Sequence, residues 1–208
     1  MKQLDKLKIK VKIDKNLLVF LFVLGIVGII AGSIFVTILN NSDKTLVNEH
    51  LNTFLNNIKD NKADYLFVLK NNLGTNLIYV LLIWLLGISV IGLPVILIMY
   101  FSKLFILGFS IGSIISCYGI KGTLFALAYV FPGQVLSVIG ISLITMYSIS
   151  FSFKLIYAIL KKKTIDFKIL INRYFKILVI ILILIILMNL YDTFAMPNIV
   201  KLIIPLLS

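Results

Sequence analysis

Long apolar runs alternate with short, lysine-rich polar segments along this chain. After a start carrying Lys2, Lys6, Lys8, Lys10, Lys12 and Lys15, positions 17–39 are apolar almost without interruption. About 20 helical residues cross the ~30 Å hydrocarbon core of a bilayer, so this run predicts a first transmembrane helix. It exceeds the ~7–15 apolar residues of a cleaved signal peptide and is expected to stay as a span. Further runs predict spans at 77–100, 104–118, 135–160 and 174–191. The one substantial polar segment is the outer loop 40–76, where Val47, Leu51, Phe54, Leu55 and Ile58 recur at helical spacing. That pattern predicts an amphipathic helix, lying on the membrane or a partner, or packed on the protein's own spans.

Interruptions within the apolar runs refine the picture. Gly87, Gly92 and Pro94 punctuate the second run, and a proline inside a span predicts a kink that neighbouring helices must accommodate. Thr123 to Phe131 is too short to cross and is expected to form a re-entrant or interfacial helix, with Lys121 at its entry reaching for headgroups. Gly28 and Gly32 are four apart on the first span, as are Gly108 and Gly112 on the third, a spacing that lets helix backbones approach closely in lipid. Internal packing is the expected use; a homo-oligomeric seam through Gly28 and Gly32 is the alternative. Ser142, Thr145, Ser148 and Ser152 form a hydroxyl stripe on the fourth span suited to interhelical bonds. The fold class that follows is all-α, a single polytopic membrane domain over 1–208 with about five transmembrane helices, the short helix and the amphipathic helix.

Composition agrees. Of 208 residues 61% are hydrophobic and 13% charged, with a mean hydropathy of +1.10, against roughly 25% charged residues in soluble domains. The net charge of +12 does not indicate nucleic acid, because the basic residues flank the spans. On the five-span layout fourteen lie on the N-terminal side and six opposite, so the positive-inside rule predicts a cytoplasmic N-terminus, with the amphipathic helix and C-terminus outside. None of the eight acidic residues falls deep in a predicted span, and His50 has no second histidine or cysteine near it, so no metal site is expected. Cys117 reads as a small apolar packing residue. No paired carboxylates, catalytic triad or phosphate loop is evident. The expectation is a non-enzyme without a cofactor.

One stretch carries more information than the rest. Lys103, then Leu107-Gly108-Phe109-Ser110-Ile111-Gly112, Tyr118-Gly119-Ile120-Lys121-Gly122, Phe125-Ala126-Leu127-Ala128 and Phe131-Pro132 follow in an order that resembles the signature of the stage II sporulation protein M family. Upstream, Phe67-Val68-Leu69-Lys70-Asn71-Asn72-Leu73 is similar to that family's aromatic-then-Asn-Asn entry to its second span. The resemblance implies a role in endospore engulfment: a scaffold at the septal membrane that localises or holds together the stage II sporulation proteins D and P, which degrade peptidoglycan. The matching positions Gly108, Gly112, Gly119, Lys121, Gly122 and Pro132 read as architectural. The candidate partner surface is Leu51, Phe54 and Ile58 together with the Lys121 to Pro132 element. The alternative reading is a transporter or channel subunit for small solutes or lipid. The glycine and proline breaks favour it, and the lack of charge at membrane depth counts against it.

Overall fold

A computed structural model describes residues 15–60, 64–161 and 167–207. Lys2, Lys6, Lys8, Lys10, Lys12, Lys62, Lys162, Lys163 and Asp166 lie outside the described residues. The chain forms α1 (Lys15–Ile38), α2 (Asn41–Lys59), α3 (Tyr65–Ile88), α4 (Gly92–Tyr129), a π turn (Val130–Gln134), α5 (Val135–Lys161), α6 (Phe167–Phe194) and α7 (Met196–Leu207). No strand occurs among the described residues, and five helices are long and apolar enough to cross a membrane, as expected. One end of the bundle, the α2 end, carries α2, α7, the start of α3 and the end of α6, where the rings of Tyr65 and Phe194 meet at 6.2 Å. The opposite, basic end carries the start of α1, the α3–α4 turn, the end of α5 and the start of α6.

The second and third spans differ from their expected bounds. The expected break near Lys103 is instead a turn at 89–91, closed by the Ser89 N–H on the Leu86 carbonyl (3.0 Å) and the Gly92 N–H on the Ser89 carbonyl (3.1 Å). Gly92 lies so close to Leu86 that a Cβ would stand 2.2 Å from the Leu86 oxygen. Pro94 therefore sits in the first turn of α4, where its missing N–H forfeits no helix bond, and it starts a helix rather than kinking one. The segment 40–76 correspondingly contains α2 and the first half of α3, which Asp64 caps by accepting from the Leu66 and Phe67 N–H groups at 3.1 Å each.

α4 is two arms joined at Gly119, whose φ of 58° and ψ of −139° break the helix. A Cβ on Gly122 would lie 2.6 Å from the Ile114 oxygen, and the Tyr118 and Phe125 rings meet at 6.3 Å. Residues seven or eight apart lie over 10 Å apart along a straight helix, so the chain reverses here into a helical hairpin. The descending arm runs back beside the ascending one and through the π turn, which contains Pro132, into α5. Thr123 to Phe131 is thus the outward extension of the fourth span, neither an isolated re-entrant helix nor an interfacial one.

The glycine spacings are used within the chain. Gly32 faces α4 with a prospective Cβ only 2.0 Å from the Phe105 oxygen, and Gly108 faces α1 equally close to the Ile29 oxygen. Gly112 lies against Ser33, whose hydroxyl is 2.9 Å from both the Gly108 and Ile29 carbonyl oxygens. Tyr100 closes the same seam by donating to the Leu21 carbonyl at 3.1 Å, with Ser142 of α5 3.0 Å from its hydroxyl.

The hydroxyl stripe on α5 serves the basic half of the bundle. Ser152 donates to the Gly87 carbonyl at 2.6 Å, one of the carbonyls left without an intrahelical partner at the end of α3. Tyr174 of α6 donates to the Trp84 carbonyl at 2.8 Å and lies 2.6 Å from the Ser148 hydroxyl, with its ring stacked between Trp84 and Phe151. Tyr174→Phe keeps the stack but strands the buried Ser148 hydroxyl. Expected is a loss of about 1–2 kcal/mol, read as a lower melting temperature in detergent, whereas an unchanged melt would show that the two hydroxyl bonds contribute nothing.

Candidate functional site

Two cavities meet at the α4 hairpin. The first is a polar chamber of about 370 Å³ inside the bundle. Asn71, Asn72, Thr75 and Asn76 of α3 line it, with Lys103 and Ser110 of the ascending arm, Tyr129 of the descending arm, Gln134 and Ser137 beyond it, and Asn189 and Asp192 of α6. Lys103 lies eleven residues beyond Gly92, a helical rise of about 16 Å, which puts it near the middle of a ~30 Å hydrocarbon layer. Its ammonium donates to Asn76 Oδ1 at 3.1 Å and sits 5.5 Å from the centre of the Tyr79 ring. Asn76 in turn donates to Asn189 Oδ1 at 3.1 Å, and Asn189 donates to the Ile185 carbonyl at 2.8 Å. Tyr79 is itself anchored by its hydroxyl on the Met99 carbonyl.

The chamber's other charge is held differently. Asp192 is half-buried, and Gln134 donates to it at 3.4 Å. Its carboxylate presses on the π turn so closely that a Cβ on Gly133 would stand 1.8 Å from Oδ1. The π turn thus brings bare backbone up to an acidic side chain. Neither Lys103 nor Asp192 has an ion-pair partner among the described residues.

The second cavity is an apolar groove of about 400 Å³ between α2 and the hairpin. Val47, His50, Leu51 and Phe54 form one wall, and Phe109, Ser113, Ile114 and Phe125 the other. Ser110 and Tyr129 are common to groove and chamber. Ser113 is 3% exposed and its hydroxyl has no partner among the described residues.

The candidate surface on α2 needs correction. Ile58 is 2% exposed and Leu55 7%, both packed with Ile114, Phe125, Met196 and Val200, and Leu51 lies against the same cluster. Tyr118 adds a bond to Asn52 at 2.7 Å. The apolar stripe of α2 is used mainly on the protein's own hairpin and α7, because those helices offer a matching face; of the three expected contact residues only Phe54 stays exposed. Of the architectural residues, Gly108 and Gly112 lie in the α1 seam, Gly119 and Gly122 build the hairpin, Lys121 is exposed just past its apex, and Pro132 lies in the π turn.

The chamber itself was not foreseen, although its signal is present in the chain. Asn72, Thr75 and Asn76 fall at i, i+3 and i+4, Lys103 and Ser110 at i and i+7, and Asn189 and Asp192 at i and i+3, each set on one helix face. Reading Lys103 as the end of a span, and Asn71 to Asn76 as loop, hides that three helices each carry a polar stripe.

Among known proteins, the family model described as stage II sporulation protein M matches residues 18–197. No curated protein and no solved structure matches the chain.

Proposed function

This chain belongs to the stage II sporulation protein M family of sporulation-related membrane proteins, and from that premise we propose that it is a non-enzymatic scaffold of endospore engulfment. It holds the peptidoglycan-degrading stage II sporulation proteins D and P at the septal membrane, with its N-terminus cytoplasmic and the α2 end outside. The observation that carries this reading is the lobe at the α2 end, where α2, the hairpin and α7 pack around one apolar cluster and leave an open groove beside it. A groove with exposed Phe54 at its rim and an unpartnered Ser113 hydroxyl in its wall suits an apolar helix face of a partner that brings one hydrogen-bond donor or acceptor. Lysine placement supports the orientation. With Lys103 taken out of the sequence count, thirteen basic residues flank the spans on the N-terminal side of the five-span layout against six on the other.

Crosslinked purification of the tagged protein from sporulating cells tests this. D and P are expected in the eluate of the natural protein and at least about tenfold depleted with Phe54→Lys, since a charge buried in a partner contact without a counter-charge costs several kcal/mol. Phe54 is exposed, so the variant should accumulate normally. Undiminished recovery of D and P with Phe54→Lys removes the groove from the proposal, and their absence from the natural eluate removes the scaffold.

A second reading, a subunit that moves a small solute or lipid, has one specific observation in its favour. Lys103 places an ionisable group at mid-membrane depth, facing a polar chamber.

A further inference from the structure

An ionisable side chain at membrane depth is costly and is ordinarily neutralised by a neighbour. Lys103 shares the chamber with Asp192, which lies two residues before the end of α6, yet the two do not neutralise each other. Lys103 uses one of three ammonium donors on Asn76, and Asp192 uses one long bond from Gln134, so donors and acceptors are left over on opposite charges facing one space. A ligand that is only an anion satisfies Lys103 and repels Asp192; a ligand that is only a cation does the reverse. The complementary ligand carries both charges. The neutral part of the lining fits it too, since asparagine amides both donate and accept, and about 370 Å³ falls within the range of small-ligand sites.

We propose that the chamber binds a compact zwitterion, its anionic oxo group on Lys103 and its primary ammonium on Asp192. The phosphoethanolamine headgroup of a membrane lipid and a free zwitterionic solute share this chemistry. The chamber wall favours access from the side. Asn71, Asn72 and Thr75 on α3 and Ile106 on α4 line it and are all exposed on the bundle surface, so the space reaches that surface between α3 and α4. The inference does not rest on the scaffold reading: Lys103 and Asp192 line the chamber and not the groove, although Ser110 and Tyr129 line both.

The test uses the full chain purified in detergent, loaded with equal amounts of phosphatidylethanolamine, phosphatidylglycerol and phosphatidylcholine, and analysed by native mass spectrometry. Phosphatidylethanolamine is expected to be retained at least tenfold over the other two. Phosphatidylglycerol lacks the ammonium, and the trimethylated headgroup of phosphatidylcholine has no N–H to give a carboxylate. Lys103→Met and Asp192→Asn should each abolish the preference. Asn72→Leu, an exposed site at the mouth, should weaken retention severalfold without touching the core, which keeps the test decisive if either charge variant fails to fold. A second arm offers soluble glycerophosphoethanolamine to the lipid-free protein. Binding there without lipid retention assigns the site to a free solute, and lipid retention assigns it to a headgroup. Equal retention of all three lipids with no binding of the soluble probe, or a preference that survives in folded Lys103→Met, overturns the proposal.

Discussion

Gly108→Leu should remove most of the folded protein from the membrane. A Cβ at this position would lie 2.0 Å from the Ile29 carbonyl oxygen and 2.7 Å from its carbonyl carbon and Cα, so the obstacle is backbone and no rotamer change relieves it. The two helices must part. In lipid, apolar side chains gain little by leaving the tails for each other, so α1 holds α4 through close backbone approach and interhelical hydrogen bonds. Separation forfeits both, including the Ser33 hydroxyl on the Gly108 carbonyl. The same contact line continues at Gly32 and Gly112, so the seam opens over two turns. A cost above about 4 kcal/mol is expected, in the range reserved for severe overpacking. The check is steady-state level and melting temperature in detergent, with Gly74→Ala as control. Gly74 has nothing within 4 Å of a prospective Cβ, and alanine there should stabilise the helix by about 0.5–1 kcal/mol. If Gly108→Leu accumulates and melts like the natural protein, α1 does not dock on α4 through this face.

The second large effect has the opposite origin. Gly119 has open space around it, yet its φ of 58° with ψ of −139° is backbone that a side chain strains. Gly119→Ala should therefore cost about 2–3 kcal/mol although the added methyl touches nothing. The loss falls on the hairpin. The descending arm supplies Phe125 and Ala126 to the cluster that seats Leu55 and Ile58 of α2 and Val200 of α7, so these elements are expected to loosen together. Hydrogen exchange should rise more than tenfold over the 119–129 arm, α2 and α7 while α1 and α6 keep their protection. Unchanged exchange in the arm would mean that the reversal does not depend on this backbone conformation.

These two positions also mark what was readable beforehand. The four-residue glycine spacing identifies Gly108 and Gly112 as close-approach sites from the chain alone, because the requirement is local to one helix face. Their partner is not local: the spacing at Gly28 and Gly32 predicts internal packing and allows a dimer seam as the alternative, and neither names α4 as the helix they meet. Gly119 appears in the chain only as part of a turn, and that the turn reverses fully, so that Thr123 to Phe131 joins the fourth span, follows from the packing of Gly122 on Ile114 and Tyr118. For α2 the sequence predicts the helix and leaves open whether its apolar face meets a partner or the protein's own helices; Ile58, and in part Leu51, take the second course. Periodicity shows that a helix has an apolar face but carries no information about what covers it.

The number of membrane crossings, the all-helical class and the excess of lysine at one end follow from the sequence by itself, because the thickness of the hydrocarbon layer imposes run length and the cost of burying charge imposes flanks. The location of the third span did not follow. Lys103 looks like a flank because an isolated lysine belongs at an interface, and only the tertiary structure supplies the Asn76 amide and the Tyr79 ring that hold it inside. The chamber is likewise a tertiary fact: its polar residues come from helices more than a hundred positions apart in the chain. A single helix tells which of its residues share a face, whereas the meeting of three polar faces depends on how the helices pack.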